Sequence, residues 1–197
     1  MSQIASIEVF KEPLLLASSS PRRAEILRIV GWPFEVVSGA VDETRHPSED
    51  AVKYVTRLAR AKAETAATGL SSGLVLGADT VVVIEGEILG QPRDDDDARR
   101  MLSSLRERWH DVVTGVALLR AGHDGRCLVE HEVTRVRFRP VSEEEIEWYV
   151  NTREPMGKAG AYAIQGRAAL FIEEIQGDYF NIVGLPIRRV YELSQEI

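Results

Sequence analysis

The chain predicts an α/β protein built on a mixed β-sheet with helices against it. Three observations carry that reading. Short runs of Leu, Val and Ile at Leu14–Ala17, Leu74–Leu76 and Val81–Ile84 read as buried strands. Between them lie amphipathic stripes at helical spacing, such as Val52, Val55, Leu58 and Ala59. Strands and helices alternate in the first half and hairpins follow in the second, the order expected of a mixed architecture.

The elements follow in order. After the strand at Leu14–Ala17, Ser20 suits a helix N-cap and Pro21 a first helical residue. That helix runs through Ile26, Leu27 and Val30 and stops at Gly31. Phe34–Val37 is a short second strand. Ser48 is expected to cap the next helix, with Glu49 and Asp50 in its first turn. Its polar face carries Lys53, Arg57, Arg60 and Glu64, whereas Lys62 falls on the apolar stripe, an unusual place for a lysine. Gly77-Ala78-Asp79-Thr80 interrupts the runs Leu74–Leu76 and Val81–Ile84, and Glu85-Gly86 turns a hairpin into Glu87–Leu89.

Asp94–Asp97 read as the cap and first turn of a helix through Met101, Leu102 and Leu105. Acidic residues there complement the positive helix end, so a metal site is rejected. Val112–Leu119 and Leu128–Phe138 are two strands joined at 122–125. In the second, Arg135, Arg137 and Arg139 alternate with Val136 and Phe138. Ser142 and Glu145 form a capping box for a helix through Ile146 and Val150, in which Trp148 and Tyr149 pack. Ala169–Ile172 and Tyr179–Val183 are expected as strands around a turn at Gln176-Gly177-Asp178. Pro186 opens a closing helix with Val190 and Leu193.

Composition bounds the function. The 197 residues suit one domain or two closely joined lobes, without repeat or linker, and 44% apolar content suffices for a core. A net charge of −7 argues against a general nucleic-acid binder. It allows a phosphate ligand if cations gather locally. Cys127 is the single cysteine, so no internal disulfide forms and a reducing compartment is expected. The histidines at 46, 110, 123 and 131 lack zinc-ligand spacing, and His123 and His131 are placed on a solvated hairpin. No apolar run approaches the ~20 residues that span a bilayer. Met1 to Pro13 lacks a signal pattern. A cytoplasmic protein without membrane attachment is the expectation.

Several residues invite chemistry. Gly157-Lys158-Ala159-Gly160 through Gln165-Gly166 sets one cation among small residues, and its glycines let backbone approach a ligand. Lysine suits a phosphate as a compact charge. Ser18-Ser19-Ser20-Pro21-Arg22-Arg23 puts two arginines at the positive end of a helix, a conflict that an anion resolves. Extension of both arginines into water is the plainer alternative. Asp79, between two apolar runs, requires hydrogen bonds, a cation or a cleft edge. A turn-forming role competes with that reading. Lys62 either reaches a ligand or snorkels outward.

Together these segments resemble the Maf family of nucleoside triphosphate pyrophosphatases, from about Leu14 to Val190. The resemblance implies one Maf-like domain over residues 1–197, with 1–13 as an extension. It implies an elongated mixed sheet flanked by helices, with two lobes around a cleft. It assigns catalysis to Asp79, as general base on water or as metal ligand. It assigns substrate binding to Ser18, Arg22, Arg23, Glu43, Lys62, Thr80, Gln91, Lys158 and Gln165. Arg22, Thr80 and Gln165 are the specificity positions and resemble the branch acting on dTTP and UTP. Glu43 with Asp79 is expected to hold a divalent cation, Mg²⁺ or Mn²⁺. The implied partners are the nucleotide and a second copy in a homodimer. Tyr162 is read as a packing residue. Gln91 departs from the family pattern, which has lysine before Pro92. Two alternatives stand beside the leading one: a preference for another nucleotide such as 7-methyl-GTP, or a nucleotide-binding regulator of cell division.

Overall fold

The computed structural model describes residues 9–37, 39–47, 49–122 and 125–197. Seven strands form one sheet: β1 (Leu14–Ala17), β2 (Phe34–Val37), β3 (Leu74–Ile84), β4 (Glu87–Leu89), β5 (Trp109–Arg120), β6 (Cys127–Phe138) and β7 (Ile172–Gln176). Their order is β2-β1-β3-β5-β6-β7, with β4 paired to β3 off that path. β1 runs parallel to both β2 and β3, and the remaining pairings are antiparallel. The helices are α1 (Pro21–Ile29), α2 (Ala51–Ala67), α3 (Asp95–Leu105), α4 (Glu143–Asn151), α5 (Tyr179–Val183) and α6 (Ile187–Glu196).

The pleat explains why both faces are covered. Successive strand residues point to opposite sides. Leu14, Leu16, Leu74, Leu76 and Ala78 join α1 and α6 residues in one core, while Leu15, Ala17 and Val75 pack under Ala59 and Ala63 of α2. A third core gathers Val82, Leu89, Met101, Phe138 and Tyr149 between the far end of β3, α3 and α4. β1 is buried along its whole length, as its uninterrupted apolar run requires.

Five expectations need correction. The Gly77–Thr80 segment does not break the strand: β3 is continuous over eleven residues, and Asp79 pairs in register with Gly115. Ser48 lies outside the described residues, and α2 is capped by Asp50, whose carboxylate accepts the Lys53 N–H at 2.8 Å. Tyr179–Val183 is a helix despite its strand-like composition. The Asp178 carboxylate accepts the Phe180 N–H at 2.7 Å, and Gly184 at φ 119° closes the turn. Residues Arg167–Phe171 form a 3₁₀ turn, so β7 starts only at Ile172. Trp148 also departs from expectation: it is 45% exposed, whereas Tyr149 beside it is fully buried. The Ser142–Glu145 capping box forms in both directions, and Asp94 caps α3.

Candidate active site

β1 and β4 flank β3 on the same edge. β1 ends where Ala17 meets Gly77, and β4 begins to pair only at Val82. The β3 edge from Ala78 to Val81 is therefore left without a strand neighbour. A cavity of about 480 Å³ opens there, beyond the carboxyl end of β1, the usual place for ligands in such sheets. Ser18, Arg22, Arg23, Glu43, Lys62, Asp79, Thr80, Gln91, Lys158 and Gln165 all line it. Four formal positive and two negative charges thus face one hollow in a chain of net charge −7.

Asp79 projects to the α2 face of β3. Its Oδ1 lies 2.7 Å from Lys62 Nζ, and the same ammonium stands 2.8 Å from Glu43 Oε1. Lys62 is not snorkelling: its side chain is only 16% exposed, and two carboxylates hold it. α2 lies close enough for this because Gly77 and Gly115 present no side chain to it. A Cβ on Gly77 would stand 2.1 Å from the Ala59 carbonyl oxygen, and one on Gly115 2.5 Å from that of Val55.

Glu43 sits on the irregular segment before α2. α2 itself ties that segment down: the Tyr54 hydroxyl donates to the Glu43 carbonyl at 2.7 Å, and Arg57 Nη2 donates to the Thr44 carbonyl at 3.0 Å. Arg57 also grips Glu49 through two nitrogens. That pairing holds the Glu49 carboxyl down at about 2.

Thr80 points to the opposite face. Its hydroxyl lies 2.9 Å from the Thr114 hydroxyl, which is also 3.2 Å from the Asn181 carbonyl. Arg23 completes this buried chain. It donates to the Gly184 carbonyl at 2.8 Å, Ser18 Oγ at 2.9 Å and Thr80 Oγ1 at 3.2 Å. Protein acceptors therefore take three of its five N–H groups. Burial pulls its pKa down.

Arg22 and Lys158 are differently placed. Among the described residues neither meets a carboxylate in an ion pair. Arg22 Nη2 makes a long contact to the Gly157 carbonyl at 3.5 Å, and Lys158 Nζ one to the Met156 carbonyl at 3.4 Å. Burial lowers the pKa of both, and Arg22 adds to the effect on Lys158. Two part-buried cations side by side make a site prepared for an anion. The start of α1 adds to it: Ser20 holds the N-cap position, but its hydroxyl makes no capping bond. Gln91 is exposed on the rim. Tyr162 packs as expected, 6% exposed with its hydroxyl 2.9 Å from His110 Nε2, and its ring also walls the hollow.

Comparison with known proteins accords with this geometry. The sequence model of Maf-like proteins matches residues 13–197. The chain belongs to the Maf-like protein family. A dTTP/UTP pyrophosphatase of Symbiobacterium thermophilum is 52% identical over 182 residues, covering 92% of each chain. One of Dictyoglomus thermophilum is 47% identical over 95% of this chain and 97% of its own. One of Moorella thermoacetica is 50% identical over 91% and 92%. A solved HAM1 protein from Coxiella burnetii superposes with a TM-score of 0.51 at 16% identity, over 94% of this chain and all of its own, a likeness of fold.

In this Maf-like chain, sequence reasoning missed the residues that hold the site from behind. Thr114 had no signal beyond a β-branched residue in a strand. Tyr54 and Arg57 lie one turn apart on the expected helix, and only folding brings them their acceptors, the Glu43 and Thr44 carbonyls and the Glu49 carboxylate. Glu154, which accepts from the Tyr149 hydroxyl and the Arg167 N–H, was likewise not anticipated.

Proposed function

We propose that this chain hydrolyses dTTP and UTP to the monophosphate and pyrophosphate, and so clears unwanted or modified nucleotides. One observation carries the reading: Asp79, Lys62, Arg22 and Lys158 meet around one hollow at the open edge of β3. Relatives about half identical over nearly the whole chain bear the name dTTP/UTP pyrophosphatase.

The residues divide the work. Arg22 and Lys158 bind the triphosphate, with the open N–H groups at the start of α1. Asp79 takes the proton from a water that attacks the α-phosphorus, and pyrophosphate leaves. Lys62 holds Asp79 and Glu43 in place and offsets their charge. Fixed charges aimed at the developing negative charge supply most of the acceleration in this class of chemistry. Thr80 and Gln165 meet the base. Arg23 anchors Thr80 and Ser18 while its remaining N–H groups face the ligand.

Magnesium or manganese fits the donor set. Glu43 and Asp79 offer hard oxygen atoms that already converge on one cation, the Lys62 ammonium. One or two carboxylates completed by phosphate oxygens are what Mg²⁺ takes. Among the described residues no group of three or more His, Cys, Asp or Glu converges anywhere, so at this pair the substrate would have to supply the remaining oxygen atoms. When bound, the ion supplies charge neutralisation for the triphosphate.

Pyrophosphate release from dTTP, UTP, CTP, GTP and ATP with Mg²⁺ tests the proposal. dTTP and UTP are expected to lead, and Asp79→Asn to lower turnover by ~10²–10⁴-fold. Preference for a purine, or a wild type as inert as Asp79→Asn, overturns it.

A further inference from the structure

The Gln165 amide has no hydrogen-bond partner among the described residues, although it lines the hollow. The side chain is exposed, so what the protein fixes is the backbone from which it reaches into the hollow. That backbone is held on both sides by the same two residues. Before Gln165, the Ala163 N–H donates to the Tyr149 hydroxyl oxygen at 3.2 Å. After it, the Arg167 N–H donates to Glu154 Oε1 at 2.9 Å. The Tyr149 hydroxyl in turn donates to the same Glu154 Oε1 at 2.9 Å, closing the link.

The fit is tight. A Cβ at Gly166 would stand 2.3 Å from Glu154 Oε1 and 2.6 Å from Cδ. The carboxylate thus occupies the space that the glycine leaves open. Tyr149 is fixed as well: fully buried, its ring meets Phe171 edge-on at 5.3 Å. A hydroxyl has one proton and two lone pairs, so donating to Glu154 and accepting from Ala163 uses it well. A carboxylate that accepts two hydrogen bonds holds two donors in a set relation.

We propose that Glu154 and Tyr149 are positioning residues for base selection, holding the 163–167 segment so that Gln165 meets a pyrimidine and the hollow stays closed to a purine. The inference rests on the reading that Gln165 meets the base. It makes Glu154 a determinant of which nucleotide is accepted, acting through the backbone and without touching substrate.

The test measures kcat/KM for UTP and ATP by pyrophosphate release in wild type, Glu154→Ala, Glu154→Gln, Tyr149→Phe, Gln165→Ala and the double variant Glu154→Ala/Gln165→Ala. Glu154→Ala should lower the UTP-to-ATP ratio about tenfold, the scale of a lost charge-assisted hydrogen bond. Glu154→Gln keeps an acceptor oxygen for the Arg167 N–H and should restore most of the ratio. The double variant should match Gln165→Ala, because both changes act on one contact. Tyr149→Phe keeps the ring in the core and should lower the ratio even if Glu154→Ala fails to fold. A purely structural role would depress both substrates alike and leave the ratio unchanged. If Gln165→Ala lowers the ratio and neither Glu154→Ala nor Tyr149→Phe does, the positioning role is refuted while base reading by Gln165 stands. If Gln165→Ala leaves the ratio unchanged, base reading itself falls and takes the inference with it.

Discussion

Gly77→Ala tests the claim that the Lys62–Asp79 contact depends on how closely α2 lies on the sheet. The new Cβ would stand 2.1 Å from the Ala59 carbonyl oxygen and 2.9 Å from the Ala63 nitrogen. Ordinary contact begins at 3.4 Å, so the helix backbone must retreat by about 1.3 Å at that point. Backbone cannot rotate away as a side chain end can. Ala59 and Ala63 bracket Lys62, and the retreat acts directly on its anchor. A rigid shift of that size takes the Lys62 Nζ–Asp79 Oδ1 contact from 2.7 Å toward about 4 Å, outside hydrogen-bond range. Overpacking costs ~1–3 kcal/mol, and for a chain of this size that lowers Tm by about 2–12 °C. Misplacement by about 1 Å at a reacting group costs roughly 10²-fold in rate. Thermal melts and pyrophosphate release from UTP read the two effects. Gly90→Ala, with nothing within 4 Å of its Cβ, serves as the thermal control. A Gly77→Ala protein with wild-type Tm and undiminished turnover would refute the reasoning.

Three further outcomes follow from the same geometry. Gln91→Lys adds a charge at the rim of the hollow and should raise kcat/KM for UTP about tenfold or more, from a charge-assisted contact of ~1.5–3 kcal/mol; an unchanged or lower value means that the wild-type site has no use for a cation there. Arg57→Ala frees the segment that carries Glu43 and should lower kcat/KM about tenfold. Arg57→Lys should not rescue it, because a point charge cannot grip Glu49 bidentately, and equal activity in all three proteins would remove the clip from the argument. His110 is buried, which pulls its pKa down to about 3. It stays neutral in the folded chain while the unfolded chain takes up a proton below about 6.5. Stability is therefore lost as pH falls from about 6.5 toward 3, by about 2–3 kcal/mol at pH 4.5. Melts at pH 7 and 4.5 should differ less in His110→Phe than in wild type, and an equal difference would refute the assignment.

Sequence by itself determined the strands and helices whose signals are local. The Leu14–Ala17 run, the Ser142–Glu145 capping box and the Glu85-Gly86 turn each depend on residues within a few positions. Through the resemblance of its separated motifs to the Maf family, sequence also named ten residues that all line the hollow. Tertiary structure decided what those residues do to one another. It kept Gly77–Thr80 inside β3, since β5 pairs along the whole stretch and an open edge remains for the cavity. It seated the Tyr179–Val183 helix on the sheet, where the Asn181 amide donates to the Val112 carbonyl and to Thr134, partners 69 and 47 residues away. It bound Arg23 to Gly184, 161 residues distant, and left Arg22, its neighbour in sequence, open to a ligand. Composition and periodicity report on neighbours along the chain. Which of two adjacent arginines finds its acceptors inside the protein depends on distances that exist only once the sheet has closed around them.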